Sequence, residues 1–219
     1  EFMLLANKKV AEKMRKSKER FVYRVHDQPD QEKLKNLQTV VKRLGYNLKL
    51  SSNELNDSLN SLLKKAFGKN EQNLIDTLMI RSMSKAEYTT KNIGHYGLSF
   101  ENYTHFTSPI RRYPDVMVHR LIQAEIDGEK IKTDETETLC KHSTHMEILA
   151  TKAERDSVKL MQIKFMKDKE GKTFDAVISG VVARGVFVEV IENKCEGLVK
   201  AKDLPGDFYV HDEKNHRFI

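Results

Sequence analysis

The densest set of residues able to do chemistry runs Tyr103-Thr104-His105-Phe106-Thr107-Ser108-Pro109-Ile110-Arg111-Arg112-Tyr113-Pro114-Asp115. Two adjacent guanidiniums beside a Pro-bounded helix start can meet an oxyanion with fork geometry, helped by free backbone N–H groups and the helix dipole. Phosphate is the natural guest, and Tyr96, Tyr103, Phe106 and Tyr113 supply flat rings on which bases can stack. The competing reading is structural: Arg111 or Arg112 pairs with Asp115 or with a distant carboxylate. Spacing alone leaves the two open.

Other candidates carry less. His95, His105, His119, His142 and His145 fall in no metal spacing with a supporting Cys or Glu pair. His142 and His145, three apart, read better as a solvated helix face than as ligands. Cys140 and Cys195 are the two cysteines, too few for a disulfide framework or a zinc cage. The sequence holds no Asp-x-Asp cluster, Gly-rich phosphate loop or serine-nucleophile motif, so no metal site is expected within it.

The elements that must position the arginines are mostly helical. Residues 1 to about 18 place Leu4, Ala6, Val10, Ala11 and Met14 near helical spacing. Phe21–Val25 is β-branched and aromatic, so it reads as a strand. A helix begins at Pro29-Asp30 with Leu34, Leu37, Val40, Val41 and Leu44 on one face, and Gly45 stops it. Ser51/Ser52 to Phe67 repeats the scheme with Leu55, Leu59, Leu62, Leu63 and Ala66, closed by Gly68, and another helix follows from Asn70 with Leu74, Ile75, Leu78 and Met79. From Lys85 to Pro109, residues rich in Thr, Gly and aromatics read as strands and loops. Pro114 suits the first turn of a helix that buries Met117, Val118, Leu121 and Ile122 before Gly128. A long helix from about Asp134 to Lys167 repeats Leu139, Met146, Ala153 and Leu160 every seven residues, which predicts a continuous buried stripe.

After Gly171 the period becomes two. Phe174, Ala176, Ile178 and Val182 alternate with Asp175, Val177, Ser179 and Val181, followed by strands at Val186–Val190 and Glu196–Val199. Short strands with tight turns suggest a small barrel. Phe187 faces away from Val186, Val188 and Val190 and can stack on a base, with Phe208, Tyr209 and His211 as further flat side chains and Lys200 and Lys202 as phosphate contacts. The structural alternative for Phe187 is a cover over the helical part.

Composition sets the frame. The chain has 219 residues, 39% of them hydrophobic, and carries 38 Lys+Arg against 32 Asp+Glu for a net charge of +6. That apolar share excludes a disordered chain. No run of about 18 apolar residues can span a membrane, and Glu1–Asn7 carries no basic leader, so a soluble, cytoplasmic protein is expected. The basic excess, concentrated first in residues 1–20, points only weakly to nucleic acid.

Four segments together carry a resemblance. Glu1-Phe2-Met3-Leu4-Leu5-Ala6-Asn7, His95-Tyr96-Gly97-Leu98, the 103–115 run with His119-Arg120-Leu121, and Ala153-Glu154-Arg155-Asp156 resemble the catalytic domain of RNB-family exoribonucleases. Ile178-Ser179-Gly180-Val181, Gly185-Val186-Phe187-Val188 and Glu196-Gly197-Leu198-Val199 resemble the S-one-type OB-fold RNA-binding domain that follows it. The resemblance implies an α+β chain: residues 1–170 as the mainly helical C-terminal part of the catalytic domain, and 171–219 as a partial OB-fold barrel. It implies processive 3′-to-5′ hydrolysis of single-stranded RNA ends to nucleoside monophosphates with Mg²⁺, and no role on DNA. Arg111 matches the arginine at the scissile phosphate. Glu1 and Glu154 match acids near the terminal nucleotides, where hydrogen bonds to the 2′-OH tell RNA from DNA. Tyr103, Arg112 and Phe187 complete the expected RNA contacts. The family's metal-binding Asp cluster lies upstream of the segment matching Glu1, and only three clear strands precede Phe218-Ile219 where an OB barrel has five. The expectation is therefore a C-terminal fragment of the enzyme, inactive alone. The competing expectation is a non-catalytic RNA-binding module.

Overall fold

The computed structural model describes residues 1–17, 20–51, 54–69, 71–129, 134–206, 209–212 and 217–218. They form two compact units, Glu1–Pro29 with Met83–Ala153, and Asp30–Ser82 with Glu154–Ile219.

In the first unit, helix α1 (Phe2–Lys16) buries Asn7, Ala11 and Met14, one face at spacings of four and three. Lys18, where the sequence pattern ends, lies outside the described residues. Strand β1 (Tyr23–His26) pairs antiparallel with a later strand, Ala86–Thr89, with Tyr23 opposite Thr89 and His26 opposite Ala86. Alternation along β1 sends Tyr23 and Val25 inward, where they meet Phe21, Val22, Ala11, Met14, Tyr88, Met117, Val118 and Cys140 in one core.

The second unit starts with helix α2 (Gln31–Arg43). Asp30 caps it, its Oδ1 accepting the N–H groups of Glu32 and Lys33 at 2.9 and 3.2 Å. Gly45 takes φ +85°, a left-handed conformation that ends the helix where a side chain would be strained. Helices α3 (Leu55–Ala66) and α4 (Gln72–Ser82) follow, burying Leu55, Leu59, Leu62 and Ala66, and Ile75, Leu78 and Met79. Asn70, the expected start of α4, lies outside the described residues. The chain then returns to the first unit as β2 (Ala86–Thr89), a short 3₁₀ turn at Tyr96–Leu98, an irregular segment to Arg112, and helix α5 (Tyr113–Asp127). Pro114 sits in the first turn of α5 and Gly128, at φ +69°, stops it. Tyr103–Thr107 is loop.

Helix α6 (Thr136–Lys167) has the expected length but not the expected burial. Thr136 and Cys140 are its buried residues, whereas Met146 is 45% and Leu160 52% exposed, and Ala153 is exposed too. A seven-residue recurrence shows that one face is apolar; burial also needs a partner surface. Full burial is confined to the first turns of α6; near its other end Gln162 and Met166 meet the Asn193–Lys194 turn without being covered by it.

Strands β3 (Ala176–Val182), β4 (Gly185–Val190) and β5 (Glu196–Lys200) make an antiparallel meander in that order. Gly185 is required at the β3–β4 turn: at φ +153° a Cβ there would lie 2.0 Å from the Val199 carbonyl oxygen. The simple alternation expected along β3 is broken. Ile178 pairs with Val188 but Gly180 with Phe187, a bulge at Ser179. Val181, not Val182, therefore shares a face with Ile178, because one extra residue flips every side chain beyond it. Strands β6 (His211–Asp212) and β7 (Arg217–Phe218) form a further antiparallel pair beyond the three strands expected. The class is α+β, and the described strands do not close a barrel.

Candidate nucleic-acid interface

The arginine segment is a tight turn leading into α5. The N–H groups of Arg111 and Arg112 both donate to the Ser108 carbonyl, at 3.3 and 3.1 Å, and Arg112 stands at the helix start in an extended conformation. Asp115, one residue into the first turn after Pro114, is fully buried. Its Oδ1 accepts the Ser108 N–H and the Arg112 Nη2 group, each at 2.8 Å. The two arginines thus separate. Arg112 is held in an ion pair with its side chain 20% exposed, the structural alternative raised by the sequence. Arg111 is exposed, and no described group pairs with its guanidinium. Ile110 beside it is fully exposed.

The loop carrying this turn is irregular but tied down along its length. Tyr103 is buried at 4% exposure, its carbonyl accepting the Arg24 N–H at 3.0 Å and its hydroxyl accepting from Asn7 Nδ2 at 3.1 Å. Asn7 Oδ1 takes the Phe106 N–H at 3.0 Å, so one α1 side chain pins two points of the loop. Thr104 Oγ1 donates to the Val22 carbonyl at 2.7 Å. His119 on α5 donates from Nε2 to the Phe106 carbonyl at 2.9 Å while its ring stacks on Phe106, centroids 4.2 Å apart. His105 Nδ1 lies 2.8 Å from the Tyr88 hydroxyl. Tyr103 meets His95 and His105 edge-on at 5.3 and 5.7 Å.

Burial sets the protonation of this cluster. It pushes His105 down to about 3, with the Arg112 and Arg24 charges adding to the effect. It pushes His95 down to about 4, helped by His26, and the Tyr88 hydroxyl up to about 12. At neutral pH, His105 and Tyr88 are both uncharged, so the cationic charge of the site rests on arginine. Nearby, Glu137 is pulled upward by burial, yet the Thr90 N–H and the hydroxyls of Thr90 and Thr89 outweigh this and hold its carboxylate below the ordinary range.

The remaining sequence candidates lie elsewhere. Glu1 heads α1, is exposed, and its side chain caps nothing. It shares the first unit with Tyr103, Arg111 and Arg112. Glu154 is exposed on α6 and Phe187 is half-buried on β4, both in the second unit. Phe187 packs across from Gly180 and lines a cleft of about 670 Å³ with Tyr209, Phe218 and the α4 residues Leu74, Leu78 and Arg81. Lys200 and Lys202 are exposed, and Phe208 lies outside the described residues. Sequence reasoning missed Asn7. Its signal was present, a polar side chain on the same face as Ala11 and Met14.

Among the described residues no group of three or more His, Cys, Asp or Glu side chains converges to hold a metal ion. No step through a metal is assigned to the described residues.

A profile of the RNB domain matches residues 1–128, and one of the S1 RNA binding domain matches 167–219. The chain belongs to the RNB family. Within that family, Ribonuclease R of Aquifex aeolicus is 40% identical over 100% of this chain and 32% of its own length, and Ribonuclease R of Escherichia coli is 33% identical over 100% and 28%. Mycoplasma genitalium RNase R, solved with ribose-methylated single-stranded RNA, superposes with a TM-score of 0.90 at 27% identity, covering 99% of this chain and 35% of that one. Yeast Ssd1, a pseudonuclease, shares the fold at a TM-score of 0.80 and 24% identity, covering 98% of this chain and 28% of its own. The RNB chain described here spans about a third of the length of these relatives.

Proposed function

We propose that this chain is part of a processive exoribonuclease of the RNase R type, acting 3′-to-5′ on single-stranded RNA ends and releasing nucleoside monophosphates. The observation that carries the reading is the division of Arg111 from Arg112. A buried scaffold presents one guanidinium that is exposed and has no partner among the described residues, a placement suited to an in-line phosphoryl displacement whose charge grows on the non-bridging oxygens. A fixed donor at that point stabilises the transition state more than the bound RNA, because the negative charge is largest there.

Glu1 and Glu154 supply acceptors for ribose hydroxyls, which favours RNA over DNA, and Phe187 offers a ring to a base. Tyr103, buried, contributes through the loop it anchors, and Arg112 can reach RNA only by releasing Asp115. Residues 1–170 form the end of the catalytic domain and 171–219 the start of the RNA-binding domain. The Mg²⁺ that such chemistry uses belongs to the full-length protein, on ligands outside this chain, and the chain alone is inactive without a means of activating water. The proposed site of action is the cytoplasm; no described helix is long and apolar enough to cross a membrane. A non-catalytic RNA-binding module is the second reading, favoured by the lack of a metal cluster among the described residues.

The test is made in the full-length protein with Mg²⁺ and a 3′-end-labelled single-stranded RNA. Arg111→Ala is expected to lower the single-turnover rate by about 10²- to 10³-fold while the Kd for RNA moves by less than about threefold. A loss confined to affinity makes Arg111 a groove residue and ends the catalytic reading.

A further inference from the structure

One carboxylate explains why the neighbouring arginines end in different environments. Asp115 Oδ1 accepts from the Ser108 N–H, which opens the turn, and from the Arg112 guanidinium, which closes it. Both ends of the turn are thereby fixed to a single buried atom, and Pro109, Ile110 and Arg111 project between them. The second carboxylate oxygen, Oδ2, is buried without a partner, and so is Arg112 Nε. An ion pair that is buried and only half satisfied is a poor device for stability, since desolvation of the two charges offsets their attraction and the idle atoms add a penalty. What the pair supplies is geometry: a fixed turn, and a second guanidinium kept off the surface.

We propose that Asp115 is a positioning residue, holding the Ser108–Arg112 turn so that Arg111 alone is aimed at the phosphate while Arg112 is withheld. The proposal rests on the reading of Arg111 given above. Asp115 touches neither RNA nor the reacting atoms; it acts through the turn. A lone cation has a defined line of approach to a non-bridging oxygen. Two adjacent free guanidiniums would compete for that oxygen and hold bound RNA in several registers, and a misplacement of about 1 Å is enough to cost about 10²-fold in rate.

Asp115→Asn keeps the shape and the acceptor for Ser108 N–H but removes the charge that holds Arg112. In the full-length protein it is expected to lower the single-turnover rate by about 10- to 100-fold, with the RNA Kd within about threefold of the parent. The decisive readout is a double-mutant cycle with Arg111→Ala. If Asp115 acts through Arg111, adding Asp115→Asn to Arg111→Ala lowers the rate by less than about threefold further. A full multiplicative loss in that background, or a single variant with the parent's rate, overturns the proposal. If Arg111→Ala itself leaves the rate unchanged, it is the reading of Arg111 that falls, and the proposal with it. Should Asp115→Asn fail to show a cooperative melt, Arg112→Met breaks the same pair from its less buried end. The same loss of rate at constant affinity is expected, and a loss of affinity at constant rate overturns the proposal.

Discussion

The arginine turn and the β3–β5 sheet display a side chain in two different ways. At residues 103–112 the backbone is irregular, yet at least five bonds from Asn7, Thr104, Arg24, His119 and Asp115 tie it to surrounding structure. The displayed group, Arg111, is a charge. On β4 the backbone is regular, held by its own ladder to β3 and β5, and the displayed group, Phe187, is a ring. A charge that serves a transition state must be fixed to within a fraction of an ångström, which only tertiary anchors can do in a loop. A stacking ring tolerates looser placement because every base has a π-face. The turn should therefore be sensitive to distant anchors, and the sheet to the ring itself.

The largest effect that can break this contrast is at Asn7. Asn7→Ala removes both loop bonds, leaving the buried Tyr103 hydroxyl and the half-buried Phe106 N–H without their partner, so a loss of about 2–4 kcal/mol in stability is expected by thermal or urea unfolding. An unchanged melt would mean that the loop has anchors enough without α1. At Phe187 the expectation is reversed. Phe187→Ala should weaken RNA binding by about 1–3 kcal/mol, measured by fluorescence anisotropy, with the melting temperature moving little. Should affinity hold while the melt drops, Phe187 is a packing residue of the cleft beside α4.

A smaller effect is the pH dependence of the first unit. His95 and His105 have folded-state values near 4 and 3 against an ordinary 6.5, so protonation favours the unfolded chain. Their contribution to stability is present above about pH 6.5 and is lost as the pH falls toward 4. Unfolding midpoints followed from pH 8 to 4 should decline below about 6.5, and His105→Asn should flatten that slope. A midpoint that rises on acidification contradicts the burial assigned to these rings.

Much of this was legible in the sequence where a single residue type dictates local geometry. Asp30 as a cap, Pro114 in a first helical turn, and Gly45 and Gly128 as stops act through their own backbone or side chain, so their positions carried over directly. The family resemblance and the 103–115 run were equally plain. What escaped depended on pairing that the residue types alone do not fix. Which arginine is free is settled by where Asp115 Oδ1 points, and the pattern Arg111-Arg112 is symmetric to that question. The bulge at Ser179 is a property of pairing with β4, invisible in the alternation of β3 alone. The stripe on α6 shows an apolar face but not what lies against it.

The most direct measurement uses this chain alone. Incubated with Mg²⁺ and a 3′-end-labelled single-stranded RNA, it should retain the RNA in a filter-binding assay and release no mononucleotide, because on the proposed reading Arg111 meets the phosphate while the described residues gather no cluster of three or more metal-ligating side chains. Metal-dependent release of nucleoside monophosphates by the purified chain would contradict that division of labour.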